Sequence, residues 1–477
     1  MKPTSSSLTL SDYILFGAYL LLILLTYCFL HGIYRPDNMD DAWFLSFAHN
    51  HIVKGVETDS TFGSTPGGGG FGGVVLFGKT YTYLYGSILN AVGWTKSHAH
   101  IISLICTVFS AVCWSCLLLK NGLSRRLSIL FGLSLLLVEP YFGAANQARP
   151  DALSFLLVSA AALAFSFHRN LLAGLLSAVA IEIHPVGISA ILFIAALFLS
   201  EQDAATRTWR AAVRTILWLS AGLLAGLIYY YLLHAQHLSL IATTIQQGNV
   251  GGNEVNHILV EYFFKTKYFR HIPELVAIVA AAAMFLLKRH YRDTRLVPAL
   301  FVVCILFTLI IRRPNFMYTI YVYPAFLLLI LWLSEKYNLL RVAAVLLLLY
   351  LIPQYGLVYV KNRNWSMDRY IASIQKAVPE GTAPVLGRPN DWFAFLDRPF
   401  YTTDYRGNLE GILAQEIVLI EDDLYRGGHY PELKKLIEKS YRPTGTVELN
   451  SLGETIAVQT LNLIDGEDGE QSPEPYR

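Results

Sequence analysis

A polytopic helical membrane protein with a small α/β domain at its C-terminal end is the fold class this sequence predicts. Three observations lead there. Hydrophobic residues make up 54% of the chain and charged residues only 15%, where a soluble protein carries about a quarter charged residues. Apolar runs that approach the roughly 20 residues needed to cross a bilayer recur between Asp12 and Tyr359. After Lys361 the pattern changes to short apolar stretches of strand type around one amphipathic helix.

Met1 to Ser11 is a short polar start. Asp12 to Tyr34 is too long for a signal-peptide core and lacks a cleavage site, so it reads as the first span. Residues 35–98 form a long polar and aromatic loop, with interfacial helices expected around Asp41–Val53 and Tyr81–Trp94. Spans follow over Ala99–Leu119, Leu127–Phe142, Ala152–Phe167, Leu171–Ile183, Val186–Ser200, Ala211–His234, Pro273–Leu287, Leu296–Ile311, Tyr318–Leu333 and Val342–Tyr359, about eleven in all. The two flanking His184 are short and need a thinned bilayer or burial among other helices. The chain thus divides into a membrane part (1–360), a soluble α/β domain (361–464) and an acidic, Pro-containing tail (465–477) expected to be disordered.

Sidedness follows from the basic loops. Lys120, Arg125 and Arg126, then Arg169, Arg207, Arg210 and Arg214, then Lys288, Arg289, Arg292 and Arg295, then Lys336 and Arg341 fall on one side if Tyr81–Trp94 lies on the membrane. That side is cytosolic, with the N-terminus. The first loop, residues 143–151, His184, residues 235–272 and the C-terminal domain face the other way. Arg312 and Arg313 break the rule there, which suggests a task such as anion binding. The net charge of +2 gives no reason to expect nucleic acid as a partner. The five cysteines lie inside apolar segments and read as small buried hydrophobes, not as a disulfide framework.

Several polar groups gather on the non-cytosolic face. Asp37, Asp40 and Asp41 stand at the mouth of the first span, where carboxylates are costly unless they act or escape to water. Arg149-Pro150-Asp151 opens one span, His184-Pro185 separates two short ones, and Arg312-Arg313-Pro314 precedes Tyr318. Together they suit a general base beside an anion clamp. Each also has a plainer reading: a local ion pair at a helix N-terminus for Arg149 and Asp151, a satisfied kink histidine for His184, snorkelling for the arginine pair. Gly73, Gly78, Lys79 and Thr80 match the phosphate-loop pattern literally. Nucleotide binding is rejected, because Val-Val-Leu-Phe fills the interval and no strand–loop–helix unit surrounds it; Lys79 stays a candidate phosphate contact. Glu254 and His257, at i and i+3, are the candidates for a divalent metal and fall short of a full ligand set.

The order of these motifs resembles the GT-C membrane glycosyltransferases, in particular the branch holding protein O-mannosyltransferases and lipid A aminoarabinose transferases. The shared features are the Asp40-Asp41 pair after the first span, the interfacial helices, and the Arg149-x-Asp151 turn two spans later. The resemblance implies a catalytic base at Asp40 with Asp41 as acidic neighbour, each raising the other's proton affinity, and a further acidic residue at Asp151. It implies phosphate contacts at Lys79, Arg149, His184, Arg312, Arg313 and Tyr318. Histidine at 184 departs from the lysine common in that family. The implied activity is transfer of a sugar from a polyprenyl-phosphate-linked donor to a hydroxyl of a lipid, glycan or protein acceptor; in-line displacement would invert the sugar carbon, and the compact loops favour a bacterial plasma membrane. The alternative is a transporter, flippase or binding protein for lipid-linked sugars, which would need the basic residues and not Asp40; a large one-sided loop and tail without internal repeats fits an enzyme better.

Overall fold

The computed structural model describes residues 8–34, 39–57, 59–61, 78–200, 209–237, 261–265, 271–310, 316–402, 416–421, 431–451 and 454–464. The first helix, α1 (Leu10–Leu30), begins where the Thr9 amide donates to the Asp12 carboxylate at 2.9 Å. Asp12 also receives Arg126 at 2.9 Å and Arg341 at 3.1 Å, so two of the basic loops meet the start of α1 at one end of the bundle. After α1 come α2 (Met39–His49), running into a π-turn at Asn50–Lys54, and α3 (Lys79–Val92). These are the two short helices expected in the first loop.

The bundle continues through α4 (Lys96–Lys120), α5 (Arg125–Leu137), α6 (Glu139–Ala145), α7 (Pro150–Ser166), α8 (Asn170–Ile183), α9 (Ser189–Ser200) and α10 (Trp209–His234). It closes with α11 (Ile272–Leu287), α12 (Leu296–Ile310), α13 (Tyr323–Lys336) and α14 (Leu340–Asn362). Among the described residues, four helices are long and apolar enough to cross a bilayer, or five if the bent pair α5 and α6 counts as one span. The expected eleven are therefore not reached by length. Two predicted spans change form for a local reason. Residues 127–142 bend by 59° between α5 and α6, because Pro140 fits the first turn of a new helix and cannot continue the old one. Residues 316–321 form a 3₁₀ turn before Pro324 starts α13.

Faces sort as a bilayer requires. Leu20, Leu21, Leu24 and Leu25 of α1 and Leu217, Trp218, Leu224 and Leu232 of α10 are exposed, whereas Tyr19, Trp114, Phe131 and Phe155 are buried in the bundle. The helices α8 and α10 cross with their backbones in close approach. A Cβ at Gly222 would stand 2.1 Å from the Leu171 carbonyl oxygen, and one at Gly174 would stand 2.2 Å from that of Leu219. Glycine lets the two backbones touch, as small residues do between membrane helices.

Beyond α14 stands α15 (Met367–Ala377), then β1 (Val385–Gly387), β2 (Phe400–Thr402), β3 (Glu416–Glu421), α16 (Pro431–Ser440), β4 (Tyr441–Ser451) and β5 (Glu454–Leu463). The sheet order is β2-β1-β3-β5-β4, with β1 parallel to β2 and β3 and the other pairs antiparallel. Alternation sets its two faces. Val385, Val418, Ile420 and Val458 join the core shared with the helices, while Leu386, Ile417 and Leu419 pack with Ile437 of α16. The domain seats on α2 and the first loop: Trp392 is buried with its ring 5.8 Å from His49, and the Thr402 amide donates to the Thr61 carbonyl at 3.2 Å.

Candidate active site

At the end of the bundle away from Asp12, α2 presents Asp40 and Asp41 to the segment between α6 and α7. Asp40 is part-exposed and pairs with the Arg149 guanidinium. The Arg149 Nε–H donates in turn to Asp151 Oδ2 at 2.7 Å. Arg149 and Asp151 are both buried, and Asp151 Oδ1 has no hydrogen-bond partner among the described residues. Pro150 begins α7, so Arg149 stands just before the helix and Asp151 in its first turn, where a carboxylate is favoured by the helix dipole. Arg149 therefore links two carboxylates, and the three groups together carry one negative charge.

Asp41 turns the other way. It is fully buried, with Oδ2 2.9 Å from His100 Nε2 and 3.2 Å from Lys96 Nζ, and Oδ1 accepting the Ala148 amide at 2.6 Å. Burial pushes its proton affinity up, but His100, Lys96 and the amide outweigh this and hold the pKa down to about 2. The expectation that Asp40 and Asp41 act as a coupled carboxylate pair is thus corrected. Asp41 is an ionised anchor that fixes the chain one residue before Arg149.

His184 ends α8 with its ring 5.4 Å from Tyr318. Tyr318 lies on the 3₁₀ turn before α13. Two residues before His184, the buried Glu182 reaches the start of α3. Its Oε1 accepts the Lys79 amide at 2.9 Å and its Oε2 the Thr80 amide at 3.2 Å, and its own carbonyl accepts the Gly78 amide at 2.7 Å. Gly78 adopts φ +82°, which suits glycine at that turn. The phosphate-loop likeness ends here, since the helix N-terminus that would cradle a phosphate already holds a carboxylate. The Lys79 side chain extends to Glu57, Nζ to Oε1 2.8 Å.

Ion pairs thus join Asp40, Arg149 and Asp151, a ring contact joins His184 and Tyr318, and Glu182, two residues before His184, holds the start of α3 at Lys79. Arg312, Arg313, Glu254 and His257 lie outside the described residues. Among the described residues, no three His, Cys, Asp or Glu side chains converge as metal ligands. Sequence reasoning passed over Glu182, Glu57, Lys96 and His100. Glu182 carried a signal: a lone carboxylate in an apolar helix has a partner or a task.

No family model and no curated protein matches this sequence. Solved structures do. ArnT from Cupriavidus metallidurans, crystallised bound to undecaprenyl phosphate, superposes with a TM-score of 0.56 at 12% identity, over 94% of this chain and 98% of that one. Its apo state gives 0.55 at 12% identity, over 94% and 97% of the two chains. The chain has the GT-C fold. The oligosaccharyltransferase of Archaeoglobus fulgidus in its apo form gives 0.51 at 12% identity, over 90% of this chain and 73% of that one. In this GT-C fold the polar contacts from Asp40 to Tyr318 gather at the end of the bundle that carries the C-terminal domain.

Proposed function

We propose that the protein is an integral membrane glycosyltransferase that takes a sugar from a polyprenyl-phosphate-linked donor. The single observation that carries this reading is the Asp40–Arg149–Asp151 chain, set beside His184, Tyr318 and Lys79 in a GT-C fold. The undecaprenyl phosphate named with the ArnT structure supports the choice of lipid. The basic loops, of which Arg126 and Arg341 meet Asp12 at the opposite end, support a site on the non-cytosolic face, and we place that face in a bacterial plasma membrane. The shorter apolar helices complete about eleven spans through a thinned bilayer.

In this reading the acceptor O–H lies against Asp40, whose carboxylate takes the proton as the oxygen attacks the anomeric carbon. The bond from that carbon to the phosphate oxygen breaks, and its electrons leave with the polyprenyl phosphate. Attack opposite the leaving group inverts the sugar carbon. Lys79, His184 and Tyr318, with Arg312 and Arg313, meet the growing charge on the phosphate. Arg149, shared between two carboxylates, aims Asp40 at the acceptor.

The test uses a product common to every such donor. Turnover of a lipid-linked sugar by purified protein releases polyprenyl phosphate, which mass spectrometry detects. Asp40→Asn is expected to keep its melting temperature and lose activity by roughly 10²–10⁴-fold, the usual weight of a general base. An Asp40→Asn protein with wild-type turnover rejects the base assignment.

A further inference from the structure

We infer that Glu182 is a positioning residue that holds Lys79 at the phosphate end of the site, an inference that rests on Lys79 being a contact for the lipid phosphate. The carboxylate and the backbone carbonyl of this one residue bind three successive amides, those of Gly78, Lys79 and Thr80. Glu182 is fully buried, as is His234, whose Nε2 lies 3.0 Å from Glu182 Oε1. His234 comes from the far end of α10, which the Gly174 and Gly222 crossing locks against α8. A negative group at the start of a helix is held by the unpaired amides and the dipole together. The first turn of α3 is thereby clamped to the end of α8, two residues from His184.

The clamp decides how Lys79 can meet a ligand. The amides of Gly78, Lys79 and Thr80 are occupied, so it is the Lys79 ammonium and not this helix start that meets a phosphate. That ammonium rests 2.8 Å from Glu57, a carboxylate part-open to solvent. An incoming phosphate monoester carries more charge than Glu57 and takes its place. A Lys79 backbone free to shift would let the ammonium follow Glu57 instead. Glu182 acts through Lys79 and touches no reacting atom.

A double-mutant cycle on undecaprenyl phosphate affinity in detergent tests this. Lys79→Ala is expected to weaken binding about tenfold, the order of one charge-assisted hydrogen bond. Glu182→Asp keeps the charge but shortens the reach by one methylene, and is expected to weaken binding by a similar factor while the apo protein still melts cooperatively. In the Lys79→Ala background, Glu182→Asp should add less than about twofold if the two act as one unit. Glu182→Gln leaves one oxygen for two amides and removes the charge, so it is expected to weaken binding at least as much as Glu182→Asp, and again only when Lys79 is present. Equal losses in both backgrounds overturn the positioning role, as does a Glu182→Asp protein that binds like wild type. If Lys79→Ala itself binds like wild type, the phosphate reading of Lys79 falls and takes this inference with it, which tells that failure apart from the other two.

Discussion

Successive residues of an α-helix point about 100° apart, and at Asp40 and Asp41 that turn separates two environments. Asp40 looks out toward Arg149 and solvent, while Asp41 is sealed against Lys96 and His100. Their amide variants should fail differently. Asp41→Asn leaves Lys96 buried without this carboxylate, and breaking a buried pair costs about 3–5 kcal/mol. A marked fall in melting temperature is expected for Asp41→Asn and little change for Asp40→Asn, measured side by side in detergent. A stable Asp41→Asn protein would remove Asp41 from its role as anchor. The sequence singled out the acidic pair because carboxylates beside lipid need a reason. It could not assign the roles, because the partners sit roughly 60 and 110 positions further along the chain and only the fold brings them near.

At the scale of elements, long apolar runs and Gly or Pro punctuation made most helices readable. The break at Pro140 was missed because the run stays apolar on both sides of it, and hydropathy is blind to direction. The α8 and α10 pairing was also hidden. Single glycines in apolar helices are common, and only the crossing shows that Gly174 and Gly222 face one another. Gly222→Leu would place a side chain into the Leu171 carbonyl and separate the helices. Loss of cooperative melting, together with loss of undecaprenyl phosphate binding through the displaced Glu182 and His234, is the expected outcome. A Gly222→Leu protein that melts and binds normally would mean the crossing yields without disturbing the site.

At the scale of the molecule, the C-terminal sheet and the helical bundle share one core through Trp392, Trp94 and His49. Burial lowers the proton affinity of His49, and the nearby Lys54 charge adds to this against Asn50 and Asp397. His51 is lowered in the same way, by burial and by Lys79, against Glu57. A histidine depressed in the fold supports it fully above its unfolded pKa of about 6.5 and progressively less as the pH drops below that value. Amide protection factors over residues 385–402, which allow for the intrinsic slowing of base-catalysed exchange at lower pH, should fall between pH 7.5 and pH 5.5, and His49→Gln should flatten that dependence. Unchanged protection factors would mean that His49 does not couple the two parts. The seat itself has another consequence. Open α/β sheets usually receive ligands at the carboxyl ends of parallel strands, where the connections diverge to either side. Here β1 lies between two parallel neighbours, and that edge is plugged by the protein's own chain, with Thr61 on Thr402 and α2 under Trp392. A fragment starting at Lys361 would open this socket to water. A small molecule soaked into such a fragment would be a tenant in a berth the whole protein fills for itself.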